Sequence, residues 1–364
     1  MNPQTNRRKF IKTLGAAGLT ILSAPNLYCT SKNQRKDKIG VALVGLGYYS
    51  RDLLAPALQL TQYCELRGIV TGSPNKIPIW QKLYGIPDKN VYTYENMDRI
   101  ADNPDIDVIY IVLPTGLHAK YAIKAANTGK RVWCEKPMAR TAAECQDIID
   151  ACKQNKVKLS IGYRMQHEPN TQTVISYATS NPYGKIKEIK AEAGYYEGRT
   201  NHWKQNKALG GGAMYDMGVY PLNAIRYASG EEPIAVTASH ETSRPKVYTE
   251  VDETTNFMLE FSSGIIAHGK TSFGMNINEL RVDCEKGWYE LRPFQAYNGV
   301  GGKCSDGTLL NKWIANQQAK QMDDDARAIL DNTDPMVPGE EGMKDIRIVE
   351  AIYESAKAAK RISL

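Results

Sequence analysis

Between Lys38 and Ile161 the chain alternates short, continuously apolar runs with amphipathic stretches of helical period, and few folds are open to such a chain. The pattern predicts strands at Ile39–Val44, Leu66–Val70, Val91–Tyr92, Val108–Leu113, Val132–Cys134 and Lys158–Ile161. Helices are predicted at Leu53–Leu60, Ile79–Tyr84, His118–Asn127 and Ala142–Asn155. Strands that lack polar alternation are buried on both faces, and strands separated by helices pair in parallel. The first half is therefore predicted to be a doubly wound α/β parallel sheet.

After Tyr163 the rhythm changes. One helix is predicted near Glu168–Tyr177, and then runs of period two follow at Ile186–Tyr195, Ala235–Glu241, Thr255–Phe261, Ile265–Thr271 and Leu280–Cys284. Turn signals such as Ser262-Ser263-Gly264 separate them, and consecutive antiparallel hairpins are the simplest reading. Glu340–Arg361 closes the chain as an amphipathic helix. A length of 364 residues exceeds one comfortable core. The expected division is 1–37 as leader and linker, 38–160 as the first domain, and 161–364 as an α+β domain on a large open, mostly antiparallel sheet.

The leader reads Asn6-Arg7-Arg8-Lys9-Phe10-Ile11-Lys12 and then a moderately apolar stretch, Leu14–Ala24. A basic segment ahead of an apolar one is a targeting signal, and the paired arginines resemble the twin-arginine export address. The competing reading is a basic amphipathic helix, which Gly15 and Gly18 weaken. Export of a folded protein to the periplasm is the expectation. Cys29 offers a site for a lipid anchor, against which bulky Tyr28 argues. Four of the 46 Lys and Arg lie in this leader; the other 42 face 40 Asp and Glu, a balance of +2 that gives no nucleic-acid footprint. No apolar run reaches the roughly 20 residues of a spanning helix. The cysteines show neither metal-ligand nor disulfide spacing, so no metal is expected.

Gly45-Leu46-Gly47-Tyr48-Tyr49-Ser50 falls where the first strand turns into the first helix. Glycines there allow a tight turn and close approach of a pyrophosphate to the helix N-terminus; a glycine pair without ligand is the alternative. Ser50 stands where a third glycine is usual. After the second strand comes Thr71-Gly72-Ser73-Pro74-Asn75-Lys76, without the acid that NAD sites place on the ribose. Hydroxyls with Lys76 suit a 2′-phosphate, so NADP is expected over NAD, unless Lys76 is only a solvated loop lysine. Leu113-Pro114-Thr115-Gly116-Leu117-His118 ends the fourth strand at the sheet's carboxyl edge, His118 being either a cofactor contact or part of the next helix's cap.

Two clusters carry candidate chemistry. In Cys134-Glu135-Lys136-Pro137, the lysine at the end of the fifth strand faces the crevice, held extended by a proline that is a candidate for the cis form. A surface lysine before a turn is the other reading. In Gly210-Gly211-Gly212-Ala213-Met214-Tyr215-Asp216-Met217-Gly218-Val219-Tyr220, a glycine run opens a helix with Asp216 and Tyr220 at i and i+4. Oxidising a carbinol needs a group to take the hydroxyl proton, which a tyrosine with a neighbouring lysine supplies. The alternative is an acid stabilising the helix dipole and a core tyrosine.

GLGYYS, LPTGLH, CEKPM, IGYR, LGGGA, YDMGVY and EEGMKDIRIVEAIYE together resemble the Gfo/Idh/MocA oxidoreductases, nearest to their glucose–fructose oxidoreductase branch, from about Lys38 to Arg361. The resemblance implies a Rossmann domain followed by an open-sheet domain whose outer face makes dimer or tetramer contacts. It implies Lys136, Asp216 and Tyr220 as catalytic residues, with Tyr220 the proton acceptor or donor and Asp216 its polar partner. It implies cofactor contacts at Gly45, Leu46, Gly47, Tyr48, Tyr49, Thr71, Gly72, Lys76, Tyr94, Leu113, Pro114, Thr115, His118, Glu135, Lys136, Arg164 and Trp203, and substrate contacts at Lys136, Tyr163, Lys204, Asp216 and Tyr220. Two departures stand out: only Thr30–Asp37 lies where that branch carries a long proline-rich arm, and Lys204 stands where an arginine is common. The expected protein is an exported NADP-dependent sugar oxidoreductase that recycles its cofactor in place through a second carbonyl substrate. The rivals are an exported NAD-dependent glycoside hydrolase working by transient oxidation, and a non-catalytic sugar-binding relative.

Overall fold

The computed structural model describes residues 36–364, so the leader and Cys29 lie outside the described residues. The first sheet is built from β1 (Ile39–Val44), β2 (Cys64–Val70), β3 (Val91–Tyr92), β4 (Val108–Ile111), β5 (Arg131–Cys134) and β6 (Leu159–Ile161). All six are parallel, in the order β3-β2-β1-β4-β5-β6. The order reverses between β1 and β4, and ligands of such sheets bind at that crevice. Connecting helices are α1 (Ala55–Leu58), α2 (Ile77–Tyr84), α3 (His118–Ala126) and α4 (Ala142–Gln154). α1 is only the end of the predicted Leu53–Leu60 helix, because a π turn, Ser50–Leu54, precedes it. At the start of α4 the Thr141 side chain caps the Glu144 N–H at 3.1 Å.

Strand periodicity sorts the apolar residues into two layers. Val41, Leu43, Ile69, Val108, Tyr110 and Trp133 pack on one side of the sheet, and Ala42, Val44, Ile109, Ile111, Val132 and Cys134 on the other.

The second sheet has nine strands: β7 (Ile186–Gly194), β8 (Pro233–Glu241), β9 (Thr254–Phe261), β10 (Ile266–Ser272), β11 (Ile277–Cys284), β12 (Trp288–Leu291), β13 (Gly302–Cys304), β14 (Leu309–Leu310) and β15 (Ile362–Ser363). Their order is β14-β13-β12-β11-β7-β10-β9-β8-β15. The pairings are antiparallel with one exception, which corrects the reading of consecutive hairpins. β7 inserts between β11 and β10 and runs parallel to β10, pairing Ala191 with Gly269. α5 (Pro169–Ser180), α6 (Val219–Ser229) and α8 (Gly339–Ala358) accompany this sheet. Ile189, Ala191, Phe257, Leu259, Ala267, Leu280 and Val282 face inward. The opposite face is charged, with Lys190 to Glu279 at 2.6 Å and Arg281 to Glu290 at 3.2 Å.

One helix had no counterpart in the sequence pattern. α7 (Gln317–Leu330) returns to the first sheet and buries Ala319, Met322 and Ala326 among Leu43, Tyr110 and Trp133. Its Asp323 carboxylate accepts the Gln62 and Tyr63 N–H groups at 2.8–3.0 Å. Among the described residues six cysteines are free thiols, no cluster of potential metal ligands occurs, and no helix is long and apolar enough to cross a membrane.

Candidate active site

At the end of β1 the backbone turns through Gly45 with φ 94°, where a β-carbon would strike the Val112 carbonyl and come within 2.7 Å of Leu113. Only glycine tolerates both conditions. A β-carbon on Gly47, in contrast, meets nothing within 4 Å, so the turn is open on its outer side. Ser50 Oγ donates to the Gly45 carbonyl at 2.5 Å, and Arg51 N–H to Gly47 at 3.0 Å, which starts the helical turns. N–H groups at such a start are free to bind a phosphate.

Lys76 reaches back to this turn: its Nζ donates to the Leu46 carbonyl at 2.8 Å. Thr71 Oγ1 accepts the Ser73 N–H at 3.0 Å, and the Tyr94 ring lies against Gly72. No carboxylate lies between Thr71 and Lys76. An open glycine turn flanked by a cation and a hydroxyl fits the pyrophosphate and 2′-phosphate of a nicotinamide dinucleotide.

Leu113, Pro114 and Thr115 close β4 beside it. The glycine run of the second half backs directly onto them. A β-carbon on Gly116 would meet the Ala208 carbonyl, and one on Gly210 would come within 2.7 Å of Thr115. His118 is buried, its Nδ1 2.9 Å from the Pro137 carbonyl and its Nε2 2.8 Å from that of Leu113. Burial lowers its pKa. Of its two expected roles, the structure shows it at the start of α3, tying the β4 loop to the Lys136–Pro137 turn, whose peptide bond is cis.

Lys136 leaves the end of β5 for the second cluster. Its Nζ donates to the Asp216 carbonyl at 2.8 Å and stands 4.4 Å from the centre of the Tyr220 ring. That carbonyl is available for a local reason. Met214–Gly218 is a π turn, in which the carbonyl of residue 216 looks for an N–H at residue 221, and Pro221 has none. The Asp216 carboxylate goes elsewhere. Lys204 Nζ donates to its Oδ2 at 2.6 Å and to the Tyr195 hydroxyl at 2.7 Å, while Tyr195 lies 3.1 Å from the same Oδ2. Burial pushes the Asp216 pKa up, but the charges of Lys204 and Lys136 and these hydrogen bonds outweigh it, leaving the group lowered. Burial and the Asp216 and Glu197 carboxylates raise that of Tyr195, which stays protonated. Asp216 is therefore not the direct polar partner of Tyr220; the two are linked through Lys136.

Arg164 is fully buried and makes the other approach to Tyr220, 5.5 Å from the ring centre. Its nitrogens donate to the Ala296 carbonyl at 2.8 Å, to Gln295 Oε1 at 2.6 Å and to Gln317 Oε1. Its guanidinium also stands 4.8 Å from the centre of the Tyr297 ring. Glu135 is buried under this group, accepts the Tyr110 hydroxyl at 2.6 Å and presses on Gly162. Burial raises its pKa to about 7, against the Tyr110 hydrogen bond and the nearby Lys136. Tyr49 is half-buried among Glu135, Arg164 and Tyr220, while Tyr48 is 61% exposed. Trp203 opens a short turn beside Lys204, whose Nζ is 5.9 Å from the indole centre. Tyr163 is fully buried, its hydroxyl turned to Asp345 on α8, with Tyr220 among the groups near it. Tyr110, Tyr195, Gln295, Tyr297 and Gln317 had no signal in the sequence beyond their type.

A parallel sheet with a glycine turn at its switch point, and a lysine and a tyrosine converging from separate halves, define a nicotinamide-dependent oxidoreductase. Two family models match: the GFO/IDH/MocA oxidoreductase family with an NAD-binding Rossmann fold over residues 39–163, and the GFO/IDH/MocA C-terminal domain over residues 171–290. The crystal structure of aldose-aldose oxidoreductase from Caulobacter crescentus complexed with glycerol is 38% identical, with a TM-score of 0.87 over 90% of this chain and 100% of that one. D-xylose 1-dehydrogenase [NADP(+)] of Haloarcula marismortui is 25% identical over 89% of this chain and 92% of its own. Levoglucosan dehydrogenase in complex with NADH and L-sorbose, at 20% identity over 90% of this chain and 99% of that one, shares the fold with a TM-score of 0.78. The chain belongs to the GFO/IDH/MocA oxidoreductase family.

Proposed function

We propose that the protein is an NADP-dependent sugar oxidoreductase, exported in folded form, that oxidises one aldose and reduces a second carbonyl substrate on the same bound cofactor. The observation that carries the chemistry is Lys136 Nζ lying between the Asp216 carbonyl and the Tyr220 ring, so that an amine and a phenol from different halves share one crevice. The similarity to an aldose-aldose oxidoreductase and to an NADP-dependent xylose dehydrogenase supports the substrate class and cofactor.

Gly45–Gly47 would hold the pyrophosphate, Thr71 and Lys76 the ribose phosphate, and Leu113, Pro114, Thr115 and Glu135 the opposite end of the dinucleotide. The bound cofactor supplies the hydride acceptor when oxidised and the donor when reduced. Tyr220 takes the proton of the sugar hydroxyl as that carbon gives up hydride, leaving a lactone. Lys136 holds the same hydroxyl in place beside the phenol. Lys204 and the Asp216 carboxylate, locked to each other at 2.6 Å, present fixed charges to the remaining hydroxyls. In the second half-reaction Tyr220 returns its proton to the carbonyl oxygen of the incoming aldose, giving an alditol. The uncovered outer face of the nine-stranded sheet is the proposed oligomer contact.

Native mass spectrometry of protein purified without added nucleotide should show one NADP per chain, and a glucose–xylose mixture should then yield lactone and alditol in equal amounts. A purified protein that lacks nucleotide and turns over only with added NADP overturns the recycling. Absence of any turnover with NADP and a panel of aldoses overturns the sugar assignment.

A further inference from the structure

Ten residues, 292–301, join β12 to β13, and they are anchored at more points than a surface connection needs. The Arg292 N–H donates to the Gly301 carbonyl at 2.7 Å and closes the base. Phe294 is fully buried in the core shared with the second sheet. Asn278 on β11 accepts the Phe294 and Gln295 N–H groups at 3.1 and 3.0 Å and donates back to the Gln295 carbonyl. The next two residues are tied to the first sheet's edge, because Arg164 donates to Gln295 Oε1 and to the Ala296 carbonyl. Tyr297 is thereby placed over the crevice. Its ring faces the Arg164 guanidinium at 4.8 Å and the Tyr49 ring at 6.3 Å, tilted by 40°, and it remains 39% exposed. Such a distance and tilt are those of an aromatic pair in contact.

Three segments remote in sequence thus meet at one spot: the glycine turn, the start of the chain after β6, and this connection. Nothing in the packing of the second sheet requires an exposed aromatic ring there, since Phe294 already anchors the segment. With the glycine turn and Lys76 holding the phosphates, the residues that would hold the rest of the dinucleotide are those at the ends of β4 and β5, on the side of the crevice where Tyr49 and Tyr297 stand. We propose that Tyr297 is a cofactor-retaining residue: with Tyr49 and Arg164 it forms a pre-positioned clasp over the nicotinamide half of NADP(H), and release requires this aromatic contact to open. The inference rests on the reading that the chain binds NADP(H), and it accounts for retention by an aromatic contact between the glycine turn and the connection from β12 to β13.

The test is the rate at which bound NADPH leaves. Protein loaded with NADPH is mixed rapidly with excess NADP, and the loss of NADPH fluorescence is followed for the unsubstituted protein, Tyr297→Ala and Tyr297→Phe. Circular dichroism confirms that each variant is folded; the half-exposed position of the ring makes both variants mild. Removing the ring should speed release about tenfold, whereas Tyr297→Phe, which keeps it, should stay within about twofold. Release from Tyr297→Ala at the unsubstituted rate overturns the clasp and leaves the cofactor assignment standing. Failure of the unsubstituted protein to bind NADPH at all overturns that assignment, and the clasp with it.

Discussion

Tyr220 is approached by two cations, Lys136 at 4.4 Å and Arg164 at 5.5 Å from its ring centre. Both hold positive charge beside the ring whose hydroxyl is proposed to exchange a proton with the substrate. Tyr220→Phe keeps the ring and its cation contacts and removes only the proton carrier. Its kcat should fall by roughly 100- to 10,000-fold while the sugar KM changes little, and a kcat within threefold of normal would remove Tyr220 from the chemistry. Lys76 makes a separable prediction. Its ammonium sits at the rim of the glycine turn, so Lys76→Ala should weaken NADP roughly 10- to 100-fold and leave NAD unchanged, as isothermal titration with each would show. Both residues stand out in the sequence by motif, Tyr220 in the glycine-led run before α6 and Lys76 in the turn after β2. The partner of each charge does not. Asp216 and Tyr220 at i and i+4 suggested a pair, but the π turn ahead of Pro221 and the ends of β7 deliver Asp216 to Lys204 and Tyr195 instead.

At the scale of elements, the parallel sheet was readable because its strands are short, apolar and separated by helices; element boundaries shifted by one or two residues, at α1 because a π turn precedes it. α7 escaped for a physical reason. Much of the side it buries is polar, Gln317, Gln318, Gln321 and Asp325, so its apolar period reduces to Ala319, Met322 and Ala326. The antiparallel hairpin reading failed at β7 because pairing between strands remote in sequence leaves no local mark. The buried polar side of α7 has a consequence for pH dependence. Asp325 is fully enclosed, its Oδ1 accepting Ser160 Oγ at 2.8 Å, and burial raises its pKa to about 6. Between about pH 4 and 6 the folded chain holds a proton there that the unfolded chain has lost, so this contribution is complete below about pH 4 and is lost as pH rises through 6. Glu135, raised to about 7, acts in the same direction. Asp325→Asn keeps the Ser160 hydrogen bond and abolishes the titration. In urea unfolding at pH 4 and pH 8, the variant should lose on the order of 2–3 kcal/mol less stability across that interval than the unsubstituted protein. An unchanged difference between the two pH values would show that Asp325 is ionised in the fold.

Across the whole molecule, both sheets belong to one compact unit, residues 36–364. Ala42, Ile109 and Ile111 of the first sheet and Ile189, Leu259 and Phe294 of the second belong to one continuous apolar cluster. α7, although it follows the second sheet in sequence, completes the other layer of the first, with Met322 fully buried against it. α8 carries Ile346, Val349 and Ile352 into the shared cluster. Neither half can therefore come apart without exposing apolar surface of its neighbour, and burial of roughly 25 cal/mol per Å² makes that exposure costly. The expected behaviour is one cooperative transition, with calorimetric and van't Hoff enthalpies equal. NADP binds the folded chain only, so saturating nucleotide should move that whole transition upward, by a free energy of about 2.7 kcal/mol at a hundredfold excess over Kd. Met322→Ala should move it downward by about 2–5 kcal/mol without splitting it, because α7 is common to both ends of the chain. Two resolved transitions, with only the lower-numbered half responding to NADP, would mean that the shared cluster does not couple the sheets and that the clasp over the cofactor closes on an independently folding partner.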